Sequence, residues 1–327
     1  MLPFGYTAAT DAKAASQMLT QAPESMAIAG GTDMLQLLQE GVFAPSTLVD
    51  INALPFRGIE PDGENLRIGA LTRLTDIADD ERVRNGFPVL AQALDETASP
   101  QVRNMATAGG NLLQRTRCLY FRDVAVPCNK RIPGSGCPAW DGQNRMNAIL
   151  GGTEHCIAAY PGDMANALLV VDAELIVCGP HGERRLPLDT LHRQPGDTPH
   201  LETSLQAGEL IAWIVLPFSS HARNSNYLKL RDRASFEWAL ASAAVAIEIV
   251  SDMVREIRIA AGGVATKPWR LQDVERLLVG RRLDEAACKT GGEAATRGAH
   301  PRPGNSFKTT LLQRVVEHAL RIAGGLA

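Results

Sequence analysis

From Asn111 to Cys156 the chain shows neither the hydrophobic period of a helix nor that of a strand. The segment "NLLQRTRCLYFRDVAVPCNKRIPGSGCPAW" carries Cys118, Cys128 and Cys137 among Arg, Lys, Pro and Gly, and Cys156 follows in "GGTEHCIAAY". Such a stretch looks unable to build its own core, because the apolar surface that would offset the entropy of ordering it is missing. Four of the six cysteines sit here, so the thiols are the first candidates for whatever holds it.

Their spacing is C-x9-C-x8-C-x18-C. Structural zinc sites usually include a short C-x2-4-C knuckle, and none is present. A disulfide framework does not suit a chain of this size with no signal sequence. Four thiolates from a loop are the ligand set of an iron–sulfur cluster. Arg115, Arg117, Arg122, Lys130 and Arg131 would offset a cluster's negative charge. Spacing alone leaves a cluster, a zinc site and free thiols all open. Cys178, in an apolar strand pattern, and Cys288, on a helix pattern, read as buried or incidental thiols.

Two Ala-Gly-Gly turns stand about eighty residues apart, "AIAGGTDML" and "ATAGGNLL". A double glycine after a strand permits positive φ and close approach of a ligand, and its consecutive N–H groups can hold an anion. Thr32 and Asn111 would add side-chain donors. Neither turn fits G-x-G-x-x-G, so a Rossmann site is not indicated. Taken singly, each is more often a plain tight turn.

Around these features the periodicity is ordinary. "TAATDAKAASQML" and "FPVLAQALDETAS" read as helices, and "STLVDINAL" as a strand. "SMAIAGGTDMLQLLQEGVF" reads as strand, turn and helix, and "NLRIGALTRLTDIADD" as strand then helix. After the cysteines, "MANALLVVDAELIVCGPHGERRLPLDTL" reads as a helix and a two-strand hairpin, with a further strand at "GELIAWIVLP". From Asn224 onward the pattern is strands, although the Ala-rich "SFEWALASAAVAIEIV" admits some helix. "LQDVERLLVGRRL" and "KTTLLQRVVEHALRIA" are helices, separated by "TGGEAATRGAHPRPGNS", read as a Gly/Pro-rich loop. The seven histidines occupy no assignable motif and read mostly as surface or turn residues. A net charge of −3 argues against nucleic acid as a partner, and no window of eighteen apolar residues suggests membrane insertion. The first residues lack a basic and then apolar leader, so no signal peptide is expected.

"AIAGGTDML", "QVRNMATAGGNLL" and "YPGDMANALLVVDAELIV" resemble the signature segments of the FAD-binding medium subunit of molybdenum hydroxylases, the xanthine dehydrogenase and carbon monoxide dehydrogenase family. The resemblance continues through "GELIAWIVLP" and "YLKLRDRASFEWALASAAVAI". In most of that family the second and third segments nearly adjoin, whereas here about forty-five residues with all four clustered cysteines intervene. "NLLQRTRC", "PCNKR" and "PGSGC" resemble the branch found in bacterial periplasmic aldehyde oxidoreductase, whose FAD subunit holds a [4Fe-4S] cluster.

The resemblance implies an α+β chain in two parts. Residues 1–220 would be a vanillyl-alcohol-oxidase-type FAD domain, with subdomains 1–55 and 56–220 and an inserted cluster loop at about 112–158. Residues 224–327 would be an α+β domain of antiparallel sheet and helices. It implies FAD pyrophosphate binding by Ile28, Ala29, Gly30, Gly31, Thr32, Asp33 and Met34, with Thr107, Gly110 and Asn111 from the second turn. Asp163 would lie near the flavin's sugar chain, and Ile211 and Lys229 near its ring, while Cys118, Cys128, Cys137 and Cys156 would ligate the cluster. No substrate-oxidising residue is expected in this chain. A large molybdenum-cofactor subunit and a small [2Fe-2S] subunit would complete a heterotrimer, and FAD would pass electrons to an external acceptor. The compartment would be the cytoplasm, or the periplasm if a signal-bearing partner carries the chain. A self-contained FAD oxidase or reductase and a zinc-loop scaffold are the alternative readings.

Overall fold

A computed structural model describes residues 1–326 and contains three sheets. Strands β1 (Gly5–Ala8), β2 (Ser25–Ile28) and β3 (Thr47–Asp50) form a parallel sheet in the order β1–β3–β2. Parallel strands need crossovers, and the helices Ala12–Gln21, from β1 to β2, and Met34–Gln39, from β2 to its neighbour β3, supply them. Asp11 starts the first of these helices by accepting from the Ala14 N–H at 2.8 Å.

The second sheet is antiparallel. It contains β4 (Ile59–Asp62), β5 (Asn65–Gly69), β6 (Glu174–Gly179), β7 (Gly182–Pro187) and β8 (Leu210–Pro217), in the order β4–β5–β8–β6–β7. Leu66, Ile68, Ile214 and Leu216 pack from it onto the helices Pro88–Asp95 and Met164–Val170. All seven residues of Met164–Val170 are buried, because this helix also packs against the third sheet. A helix buried on every side needs such a position, and its one polar residue, Asn166, donates to the Gly162 carbonyl.

The third sheet joins β9 (Ser225–Leu230), β10 (Ala241–Val250), β11 (Met253–Gly262) and β12 (Trp269–Arg270) in the order β12–β11–β10–β9. Ala241, Ala243, Val245 and Ile247 face the helices Gln272–Leu278, Glu285–Ala294 and Phe307–Ala323, while Ala244 and Ala246 belong to the core of the N-terminal part. The Ala-rich run is therefore a strand covered on both faces and not partly helical. Small side chains let both layers approach it.

One expected loop is half wrong. Thr290–Ala294 of "TGGEAATRGAHPRPGNS" complete the helix Glu285–Ala294. A Cβ on Gly291 would stand 2.7 Å from Leu320, and one on Gly292 2.5 Å from the Gln313 carbonyl. Those glycines serve close packing against the last helix, not a turn. β1 (GYTA) and β4 (IEPD) went unread because, unlike the equally short β2 and β3, they carry almost no apolar run.

The cysteine stretch contains only two short turns of helix, Leu119–Arg122 and Pro138–Trp140. Its far end is fastened to the C-terminal part. Ile149 and Leu150 N–H groups donate to the Val264 carbonyl at 2.8 and 3.0 Å, and the Asn305 amide donates to Asn147 and Ala148. Lys308, fully buried, donates from Nζ to Met146 at 3.1 Å and Gly263 at 2.7 Å. Burial, and next the charge of Arg145, pull its pKa from 10.5 to about 7. Below the lower value both folded and unfolded chains carry the proton, and the full cost of the buried charge is present. Between the two values the unfolded chain binds more protons, so stability rises with pH. Denaturant titrations from pH 7 to 10.5 should show wild type gaining stability relative to Lys308→Met. Parallel profiles for the two proteins would contradict this assignment.

Candidate cofactor site

The two glycine turns meet. Ile28 ends β2, Gly31 adopts φ +70°, and the helix Met34–Gln39 follows. A Cβ on Gly30 would lie 2.0 Å from the Met105 carbonyl oxygen, closer than any side chain allows. Arg73 reaches the same carbonyl with its guanidinium. In the second turn Thr107 caps the helix Ala108–Leu112, its Oγ1 accepting from the Gly110 N–H at 3.3 Å. The Gly109 N–H donates to the Ala70 carbonyl at 2.7 Å, which ties this turn to the end of β5. Among the described residues the N–H groups of Gly30, Gly31 and Thr32 have no partner. The buried Asn111 Oδ1 has none either. Free backbone donors beside an orphaned amide oxygen suit a polar, anionic ligand laid across both turns.

The fold also brings the four clustered cysteines together. Cys118, Cys128, Cys137 and Cys156 line one cavity with Tyr120, Phe121, Pro127 and Pro138. Donors already point at two sulfurs: the Asn147 amide at Cys118, 3.5 Å away, and the Ala158 N–H at Cys156, 3.4 Å away. Burial pushes the Cys156 thiol up to about 12 and raises Cys137 as well. The thiols of Cys137 and Cys156 thus hold their protons more tightly until a cation replaces them. Cys178 and Cys288 are buried elsewhere.

The five basic residues divide their duties. Arg117 and Arg122 bind Asp33 at 2.5 and 2.9 Å, and Arg122 also binds Glu40 at 3.0 Å. Arg115 and Lys130 share Glu202, the latter at 2.6 Å. Arg131 donates only to the carbonyls of Tyr120, Phe121 and Val126.

Residues 2–219 match the family described as the FAD binding domain in molybdopterin dehydrogenase, and residues 226–323 the CO dehydrogenase flavoprotein C-terminal domain. The chain belongs to the FAD-binding medium-subunit family of the molybdenum hydroxylases. It is 41% identical over 322 residues to the aldehyde oxidoreductase FAD-binding subunit PaoB of Escherichia coli (strain K12), covering 98% of each chain. It is 27% identical over 302 residues to the carbon monoxide dehydrogenase medium chain of Hydrogenophaga pseudoflava, covering 90% of this chain and 88% of that one. The solved carbon monoxide dehydrogenase of that organism, in the form lacking the Mo-pyranopterin moiety, superposes with a TM-score of 0.78 at 26% identity, over all of both chains.

As a member of this family the chain is a flavoprotein and an oxidoreductase subunit. The residues marked out for FAD fall into three groups. Ile28 to Met34, Thr107, Gly110 and Asn111 are brought together at the paired turns. Asp33 is turned away from its neighbours, toward the cysteine stretch. Asp163 and Lys229 face each other at 2.8 Å with side chains 4% and 1% exposed, so Lys229 is not a solvated strand lysine. Tyr227 donates to the other Asp163 oxygen at 2.6 Å, and Lys229 also donates to the Glu96 carbonyl. This buried pair joins the FAD-binding part to β9. Ile211 is buried on β8 opposite Val177, one residue before Ala212, whose carbonyl receives the Ala70 N–H beneath the second turn.

Two supporting residues escaped the sequence reading. Tyr160 and His192 both hold the Leu112 carbonyl, at 3.1 and 2.9 Å, where the helix after the second turn ends. His192 and His221 are the two buried histidines, and the other five lie at or near the surface, as expected for most of them. Burial lowers His192 to about 4, so it stays neutral and donates from Nε2. Only Tyr160, three residues before Asp163 in a signature segment, left a sequence signal.

Gly30→Ala should push the turns apart at a cost of about 1–3 kcal/mol of overpacking, read as a lower melting temperature together with loss of bound FAD. An unchanged flavin content would sink this assignment. Asp163→Ala leaves a buried ammonium unpaired and should cost about 3–5 kcal/mol in denaturant titrations.

Proposed function

We propose that this chain is the FAD and [4Fe-4S] electron-transfer subunit of a molybdenum-dependent aldehyde oxidoreductase. The observation that carries the reading is the convergence of four separately spaced cysteines on one cavity beside the paired glycine turns. The similarity to PaoB, named as an aldehyde oxidoreductase subunit, points to aldehydes as the substrate class. Oxidation of the aldehyde would take place on a large molybdenum-cofactor partner, with a small [2Fe-2S] partner between it and the flavin. No helix among the described residues is long and apolar enough to cross a membrane.

Cluster and zinc differ in size. Tetrahedral zinc at a Zn–S distance of roughly 2.3 Å places sulfurs about 3.8 Å apart. Among the described residues only Asp172, His221 and Glu256 bring three candidate ligand atoms within 4.8 Å of one another. No three of the four cysteine sulfurs therefore lie within that distance of one another, which favours a larger group. Thiolate ligation by Cys118, Cys128, Cys137 and Cys156 fits a cubane cluster, with the Asn147 and Ala158 donors steadying sulfur charge. When bound, the flavin can exchange electrons singly with iron–sulfur centres and in pairs with an external acceptor. The chain's own part is to hold the two groups: free N–H groups at Gly30, Gly31 and Thr32 bind the pyrophosphate, and Asn111 bonds the sugar-phosphate portion.

Purified with its partner subunits, the chain should carry about one FAD and about four irons with matching acid-labile sulfide beyond the small subunit's share. Serine at Cys118 or Cys137 should remove that extra iron. Stoichiometric zinc in its place would defeat the cluster assignment while leaving the family intact.

A further inference from the structure

Asp33 is an odd residue for an anion cradle. It sits two positions after Gly31, where a free carboxylate would repel a pyrophosphate held by the same turn. Every partner it has comes from the cysteine stretch. Its Oδ2 accepts from the Arg115 N–H at 2.8 Å, and its Oδ1 accepts from Arg117 at 2.5 Å and Arg122 at 2.9 Å. The three charged side chains are only 12–19% exposed, so water substitutes poorly for these contacts. Arg117 is further fixed over the Trp238 ring, 4.3 Å from its centroid, and immediately precedes Cys118. The helix after the first turn adds an apolar contact, Leu37 packing with Phe121 and Cys128.

We propose that Asp33 couples the two cofactor sites: its charge is neutralised, and the FAD cradle made receptive, only while residues 115–122 are held in place by the filled cysteine cavity. The inference rests on the cluster assignment above and goes beyond it. It makes Asp33 a positioning residue that does not itself bind FAD. If the cavity empties and the stretch loosens, Arg117 and Arg122 leave, and an uncompensated carboxylate stands two positions from Gly31 in the pyrophosphate cradle. Linkage then requires the reverse effect, with FAD favouring retention of the cluster.

The test is a double-mutant cycle in the full chain with its partners, reading iron per chain and the FAD dissociation constant from flavin fluorescence after removal and rebinding. Cys137→Ser should weaken FAD about tenfold in the wild-type background and by less than about twofold in Asp33→Asn. Arg117→Gln should keep its iron yet weaken FAD several-fold, and adding Asp33→Asn should restore binding. A merely structural role for the arginine would give no such rescue. Equal FAD losses from Cys137→Ser in both backgrounds, or no loss in either, would overturn the coupling. Should Cys137→Ser fail to fold, the Arg117 pair still decides it, because failure of rescue is refutation. Wild type without the extra iron would overturn the cluster assignment and this inference together, whereas iron with additive losses overturns the coupling alone.

Discussion

The centre of the molecule depends on one close approach of two backbones. Gly30 lies so near the Met105 carbonyl that no other residue fits there. Without that approach the turn after β2, in the small parallel sheet, and the turn before the helix Ala108–Leu112, against the antiparallel sheet, would be separate loops on separate layers. With it the free N–H groups of the first turn and the unpaired Asn111 Oδ1 of the second belong to one surface. Arg73, bound to the same carbonyl, and the Gly109–Ala70 bond hold the second turn against the end of β5. Binding chemistry here comes from what the backbone leaves unpaired, with few side chains involved.

The larger halves are joined by buried charge as well as by apolar packing. β10 shares its alternate faces between two cores, and the Asp163–Lys229 pair with Tyr227 lies at the same seam. Removing two charges from water is costly, and such a pair is rarely the most stable solution available. It does fix a single relative placement of β9 against the Asp163 loop, since any slip would strand both charges. Lys308 acts alike at the end of the cysteine stretch, without a carboxylate, which is why its proton affinity falls so far.

What the sequence made legible follows from how local each signal is. Both glycine turns, the helices with clear period and the strands of the hairpins are local patterns, and they are where they were read. The pairing of the turns was not legible, because Gly30 meets Met105 across about seventy-five residues of chain. Asp33 was read with its immediate neighbours as part of one wrapping segment, yet its partners lie more than eighty positions away. His192 carried no motif because it supports a carbonyl, a role any buried donor can fill. The glycines of the helix Glu285–Ala294 misled for the opposite reason: in isolation a Gly-Gly pair signals a turn, and only the neighbouring helix shows it to be a packing surface.

The cations around the cysteines bear on the cluster proposed for the cavity. Arg115, Arg117, Arg122, Lys130 and Arg131 stand against only Asp33, Glu40 and Glu202 in ion pairs, so the stretch holds an excess of positive charge. Arg131 spends its guanidinium wholly on carbonyl oxygens. With four protonated thiols in the centre, that excess would be an uncompensated cost in a partly buried site. With four thiolates around a metal group of smaller positive charge it becomes the counter-charge of an anionic centre. An aperiodic segment with almost no regular structure is held in one shape here by ion pairs and guanidinium–carbonyl bonds, where the rest of the chain relies on an apolar face.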